Sequence, residues 1–229
     1  MDRLNQFYLT DAKNNLFKFA EDGRLLQSFS PPQAGKASLV EGWNMLKVFL
    51  FYDGQGQAVL LDRFLNPISQ VNLNRPTDGN IRLATLAADD RFWAFNESDF
   101  SLLKFDPRLN EAVLQTPLNQ ILQPGQYDLR FMREYQNTVY LVDRNSGIYL
   151  FDNLGSYKKK LPFAGLSYVG FRGNELYFLK DQTVHFFDLY SNKKRAVPAP
   201  AGKKYQQVLL GDKYWYFVGE KGVDIFSLP

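Results

Sequence analysis

The chain has 229 residues, 45% of them hydrophobic and 22% charged, with a formal net charge of +3. That length and apolar content suit a substantial folded core and exclude a disordered or polyelectrolyte chain. Cysteine is absent and His185 is the lone histidine, which excludes disulfide frameworks, thiolate nucleophiles and zinc sites built on sulfur or on several histidines.

From the amino terminus, the first element is an apolar run through Tyr8 that meets a polar Asp11. A second run carries Phe19 and ends at Asp22-Gly23. The same order returns as Leu50, Asp53, Leu61 and Asn66-Pro67, and then as Trp93, Asn96, Phe105 and Asp106-Pro107. It returns again as Tyr140, Asp143, Phe151 and Asp152 to Gly155, as Phe178, Asp181, Phe187 and Ser191-Asn192, and finally as Phe217, Glu220 and Phe226. The second apolar markers stand 42, 44, 46, 36 and 39 residues apart. Runs such as Thr138-Val139-Tyr140-Leu141-Val142 and Val184-His185-Phe186-Phe187 are short, β-branched or aromatic, and bounded by turn residues, so they read as strands. A strand-rich period near forty is the size of one four-stranded β-propeller blade.

With the strands of each blade lettered A to D outward from the axis, the polar marker follows B and the second apolar marker lies on C. Innermost strands are expected at Ala37 to Val40, Ile81 to Leu86, Tyr127 to Met132, Leu166 to Phe171 and Tyr205 to Leu210. One helical turn is expected at Leu118 to Leu122. The fold expected is all-β, one six-bladed propeller domain over residues 1–229, with about 22 strands where six full blades need about 24. The first blade lacks its A strand, and the last, ending in Ile225-Phe226-Ser227-Leu228-Pro229, lacks its D strand. A segment of about 15–25 residues upstream of Met1, the length of two strands and a loop, is expected to supply both. Incomplete blades also leave edges through which a dimer would form.

Strand parity puts the B–C turns and the D–A connections on one face. That face carries the column Asp11, Asp53, Asn96, Asp143, Asp181 and Glu220, for which hairpin-turn bonding to the local backbone outweighs cation recruitment. It also carries the long connections Ser30 to Lys36, Asn72 to Asn80 and Leu114 to Gly125. Loops on a rigid frame are where binding residues concentrate, so Asn72, Asn74, Arg75, Asp78, Gln120, Gln123 and Gln126 are the candidate contacts for a protein partner. Residues 150–229 hold 12 Lys and Arg against 7 Asp and Glu. Lys158-Lys159-Lys160 and Lys193-Lys194-Arg195 occupy equivalent outer positions in adjacent repeats, a basic rim in which protection of an exposed edge strand outweighs anion binding. No nucleic-acid signature accompanies it.

Catalytic patterns are sparse. Gly54-Gln55-Gly56 joins two strands and opens no helix, so it is no phosphate loop. The carboxylates are scattered over turns and supply no acid pair recognisable for glycoside hydrolysis. His185 lies within a C strand as a packed or rim residue, and Asn96-Glu97-Ser98 matches a glycosylation acceptor by a pattern short enough to arise by chance. The enzymatic alternative resembles six-bladed metal-dependent lactonases and related hydrolases. That resemblance implies a calcium-type ion on the axis, held by carboxylates and amides of inner strands. The inner-strand candidates here are Asp128, Glu41 and Glu134, and Arg82 and Arg130 would repel a cation in the same channel. No metal and no cofactor are expected.

No run approaches the roughly 18 apolar residues that cross a bilayer, and Met1 to Gln6 lacks the charged-then-apolar order of a secretory leader. Leu4-Asn5-Gln6-Phe7-Tyr8-Leu9-Thr10, Gly147-Ile148-Tyr149-Leu150-Phe151-Asp152 and Gly222-Val223-Asp224-Ile225-Phe226 resemble uncharacterised propellers of Bacteroidetes, within the broad NHL/WD-type class. The resemblance implies export to the periplasm or cell envelope and identifies no active site. The function expected is a non-catalytic binding or scaffold module for a protein partner.

Overall fold

The computed structural model describes residues 1–32, 35–44 and 46–227; Gln33 and Ala34 of the first long connection, Met45, and the terminal Leu228 and Pro229 lie outside the described residues. The described chain forms six small antiparallel sheets arranged as a six-bladed β-propeller. Blade 1 holds β1 (Phe7–Thr10), β2 (Leu16–Phe19) and β3 (Leu25–Phe29). Blade 2 holds β4 (Leu39–Glu41), β5 (Lys47–Tyr52), β6 (Gln57–Asp62) and β7 (Pro67–Asn72). Blade 3 holds β8 (Ile81–Leu86), β9 (Phe92–Asn96), β10 (Ser101–Asp106) and β11 (Glu111–Pro117). Blade 4 holds β12 (Leu129–Tyr135), β13 (Thr138–Asp143), β14 (Gly147–Asp152) and β15 (Tyr157–Leu161). Blade 5 holds β16 (Gly170–Arg172), β17 (Glu175–Lys180), β18 (Thr183–Asp188) and β19 (Lys194–Pro198), and blade 6 holds β20 (Tyr205–Leu210), β21 (Tyr214–Gly219) and β22 (Gly222–Ser227).

Each blade pairs its strands in sequence order, and the first and last sheets have three strands each. Met1 to Gln6 form a turn and no strand; Asp2 Oδ1 accepts the N–H groups of Leu4 and Gln6, each at 2.9 Å.

The inner strands are apolar on both faces because each blade is packed between two others. Along β5, Val48, Leu50 and Tyr52 pack towards blade 1, while Phe49 and Phe51 pack towards blade 3. Along β9, Phe92 and Ala94 join that second cluster, and Trp93 and Phe95 face blade 4. Successive residues of one ribbon therefore feed different interfaces, and large aromatics fill the wedge that opens away from the axis. Apolar residues along the outermost strands of the complete blades are mostly exposed, and lysines guard the edge on β15 and β19.

The seam between blades 6 and 1 is built from side chains. Phe7, Leu209 and Tyr216 form its buried centre, with the Phe7 and Tyr216 rings 4.6 Å apart. Asn5 exchanges hydrogen bonds with Asp212, and the Tyr216 hydroxyl donates to the Glu21 carbonyl at 2.9 Å.

The turn acids act on their own backbone. Asp62 Oδ1 accepts from Phe64 and Asn66, and Asp152 Oδ1 from Leu154 and Ser156, which closes the C–D corners. On the opposite face Asp11 does the same for Lys13 and Asn15. Asn96 and Asp143 do more: each also accepts the N–H of the residue entering the inner strand, Asn80 or Asp128, and so pins strand A to the B–C corner.

Several inner strands start later than the sequence suggests. β4, β12 and β16 begin at Leu39, Leu129 and Gly170, because the preceding residues serve as packed connections. Leu166 and Val169, for example, are buried between blades 4 and 5 without joining a ladder. At the expected helical turn, Ile121 and Leu122 donate to the Leu118 carbonyl, yet the segment is no regular helix. A short helix, α1, lies instead at Asn74–Thr77, within the long connection Asn72 to Asn80.

Candidate ligand site at the axial funnel

The A–B corners of blades 2 to 6 and the segment that precedes β1 converge on one mouth of the axial channel. They enclose a cavity of about 540 Å³ to which blade 1 gives Arg3, blade 2 Trp43, blade 4 Arg133 and Glu134, and blade 5 Tyr168 and Phe171. The volume is that of a small-molecule site. Tyr168 also lines a second cavity of about 800 Å³ that opens at the other mouth beside Arg130 and Glu220, so its ring stands at the waist of the channel.

The funnel's carboxylates are committed to the fold. Glu134 is buried and accepts the Trp93 indole N–H at 2.6 Å and the Ala88 N–H at 3.4 Å. Asp2, besides its two backbone donors, accepts the Tyr8 hydroxyl at 3.0 Å. Asp212 takes Arg172 at 3.2 Å and Asn5 at 3.0 Å. Just beneath, Glu41 is 4% exposed and accepts the Thr85 hydroxyl on both oxygens and the Leu86 N–H. Burial pushes the Glu41 carboxyl up to about 7, against the opposing pull of Arg133 and of those hydrogen bonds.

The cations are less committed. Among the described residues, neither Arg3 nor Arg133 has a carboxylate partner within salt-bridge distance. Arg133 lies over the Phe171 ring at 5.8 Å, and its Nε is buried without an acceptor. The Trp43 Nε1, on the facing wall, is also buried without an acceptor. Phe171 stacks on Tyr135 with centroids 4.6 Å apart, and the Tyr135 hydroxyl is fixed by the Gly173 carbonyl at 2.7 Å. The funnel thus offers aromatic walls, satisfied acids and unsatisfied donors.

Sequence reasoning named Glu41 and Glu134 and missed Arg133, Trp43 and Tyr168. An Arg within a strand-period run, Leu129 to Tyr135, was the available signal. Asp128, by contrast, is drawn to Arg130 at 2.6 Å and Arg144 at 3.9 Å away from those acids, and Arg82 lies between Asp53 and Glu97. Among the described residues no three His, Asp or Glu side chains converge as metal ligands. His185 stacks on Phe178 at 5.2 Å on the rim.

On the opposite face, the partner candidates sit on anchored connections. Leu73, Leu118 and Leu122 are buried and fix them to the interblade core. Asn72 donates its amide to the Gln55 carbonyl and accepts the Arg75 N–H, and Asn74 accepts the Ile81 N–H at 2.9 Å. Asp78 caps α1 in a left-handed conformation. The side chains of Arg75, Gln120, Gln123 and Gln126 belong to exposed residues. On the rim, Arg195 is tied bidentately to Glu175 at 2.8 and 2.6 Å and covers Phe186, while Lys194 and Lys160 lie over Phe163 and Tyr149. Lys158, Lys159 and Lys193 are exposed.

No protein-family model matches the chain, and no curated protein matches its sequence. Solved β-propeller structures do match its fold. A protein of unknown function from Bacteroides caccae superposes with a TM-score of 0.63 at 12% identity, covering 93% of this chain and 81% of that one. A streptogramin B lyase gives 0.64 at 13% identity over 98% of this chain and 80% of its own. The extracellular domain of a hybrid two-component system of B. thetaiotaomicron gives 0.62 at 10% identity over 99% of this chain and 33% of that one. At these identities the likeness is one of fold. No helix among the described residues is long and apolar enough to cross a membrane.

Proposed function

We propose that this chain is a non-catalytic binding module, one propeller domain of an exported Bacteroidetes type that works in the bacterial envelope and takes its target at the axial funnel. The observation that carries this reading is the imbalance within the funnel: buried donors on Arg133 and Trp43 lack acceptors while the neighbouring acids are saturated. Buried polar groups are ordinarily paired, so donors left unpaired in residues of this wall point to an acceptor brought from outside the chain. A frame whose corners are pinned by Asn96, Asp143 and the turn aspartates binds with little rearrangement. The extracellular and Bacteroides propellers among its fold neighbours agree with the proposed location. A lactonase-like reaction draws no support, since Glu41 and Glu134 are engaged by Thr85, Leu86 and Trp93.

A second surface is favoured for a protein partner: the face on which Arg75, Gln120 and Gln123 stand exposed above leucines buried in the core. A thermal-shift screen of envelope metabolites, followed by mass spectrometry of the recovered compound, tests the main reading. Hits that return intact and vanish in Arg133→Met support it. Conversion of a hit to product overturns the non-catalytic assignment, and hits indifferent to Arg133 overturn the funnel.

A further inference from the structure

From the funnel's unpaired donors we infer that its ligand is a small carboxylate carried on a flat apolar body, held by the Arg133 guanidinium and the Trp43 indole N–H and laid against Phe171 and Tyr135. This rests on the funnel being the binding site and adds the chemistry of what enters.

The lining charges are Arg3, Arg133 and Arg172 against Asp2, Glu134 and Asp212. Arg172 and Asp212 pair with one another, and Asp2 and Glu134 hold backbone, tyrosine and indole donors. Formally the three cations and three acids cancel, and buried Glu41 lies within the field of Arg133; what the acids no longer offer is acceptor capacity, so the shortfall of this wall is of acceptors for Arg133 and Trp43. Arg3 is exposed at the mouth beside Tyr135 and steers an anion inward. Arg133 is half-buried deeper in, where a carboxylate is weakly screened and is met by a planar fork of N–H donors.

The remaining wall selects the body of the ligand. Tyr135 and Phe171 form a stacked pair at an interplanar angle of 20°, and Tyr168 and Tyr177 extend the aromatic surface. The Tyr135 hydroxyl is spent on Gly173 and the Tyr177 hydroxyl accepts the Leu210 N–H, so these rings offer apolar faces and few free polar groups. A strongly hydrated, body-less anion would leave those faces uncovered.

The test is titration of the intact, nitrogen-15-labelled chain with phenylacetate, phenylacetamide and inorganic phosphate. The three tryptophans give three indole signals, and Trp43→Phe assigns the one that matters. Phenylacetate is expected to move the Trp43 signal saturably, while phenylacetamide and phosphate bind at least about tenfold more weakly. Arg133→Met is expected to weaken phenylacetate roughly ten- to hundredfold, and Arg133→Lys, which keeps the charge but not the fork, to restore only part of that. Arg3→Gln leaves the core untouched and is expected to lower affinity in a salt-dependent way; it keeps the test open if Arg133→Met does not fold. Equal shifts from the acid and the amide would overturn the carboxylate assignment while the funnel still binds. Tighter binding of phosphate than of phenylacetate would overturn the apolar body. Absence of any shift at Trp43 with all three would overturn the site itself.

Discussion

Glu41 carries a carboxylate where solvent hardly reaches, and the fold bears the consequence. Its carboxyl is raised from 4.5 to about 7, chiefly by burial. A group whose folded value lies above its unfolded one binds a proton more tightly in the native state, so the protein loses stability as pH rises between those values. Glu41→Gln, which keeps the shape and cannot ionise, is expected to match the wild type near pH 5. By pH 8 it should be the more stable by as much as roughly 3 kcal/mol. Urea denaturation at the two pH values reads this directly, and a gap that opens on the acid side would sink it. Trp93 makes the complementary case. Trp93→Phe keeps an aromatic ring but strips the donor from buried Glu134, at an expected cost of about 1–3 kcal/mol by the same measurement, with a further loss from the space the indole leaves. Neither arrangement was legible in the residue order. Glu41 and Glu134 stood out as acids on inner strands, but their partners Thr85, Leu86 and Trp93 come from the neighbouring blade, more than forty positions away or close to it. The period brings such residues together without saying which donor reaches which acid.

Strands and turns were much easier to read. The unbroken apolar runs of Val48 to Tyr52 and of Phe92 to Phe95 mark ribbons buried on both faces, and the turn aspartates mark where each ribbon ends. The inner strands were less legible, because Leu166 and Val169 are as apolar as strand residues and yet serve as wedges. The helix Asn74–Thr77 was not legible either, lying within what read as a plain connection. Gly56 shows why that connection adopts its path. Its φ is +60°, and a methyl group there would run into the Asn74 side chain. Gly56→Ala is expected to cost about 1–2 kcal/mol from the left-handed backbone alone, with a further loss from the collision. Pairing it with Asn74→Ala should recover the second part and not the first. A double-mutant cycle that returns strict additivity would count against this contact.

Across the whole molecule, six sheets keep their ladders to themselves and meet only through side chains. Blades 2 to 5 face one another through broad apolar clusters, whereas the junction of blades 6 and 1 centres on Phe7, Leu209 and Tyr216. Local opening follows the least buried contacts. Hydrogen exchange is therefore expected to reach β1 and β21 ahead of β9 and β13. Tyr216→Ala should widen that difference, while Phe151→Ala, at a cost of about 3–5 kcal/mol, should lower protection across the disc. Slower exchange in β1 than in β9 would contradict this ranking. The period announced this architecture plainly. The identity of the ligand is left to the funnel, whose lining comes from every blade and so follows no local pattern.

Phe7 and Tyr216 meet across a boundary that no main-chain bond spans among the described residues. Apolar burial loses strength on chilling, whereas the ladders inside each sheet depend on it far less. Near freezing, the grip between these two rings would slacken while every sheet stayed whole, and the junction would rest on the polar ties of Asn5 to Asp212, Tyr216 to Glu21 and Lys213 to Glu21.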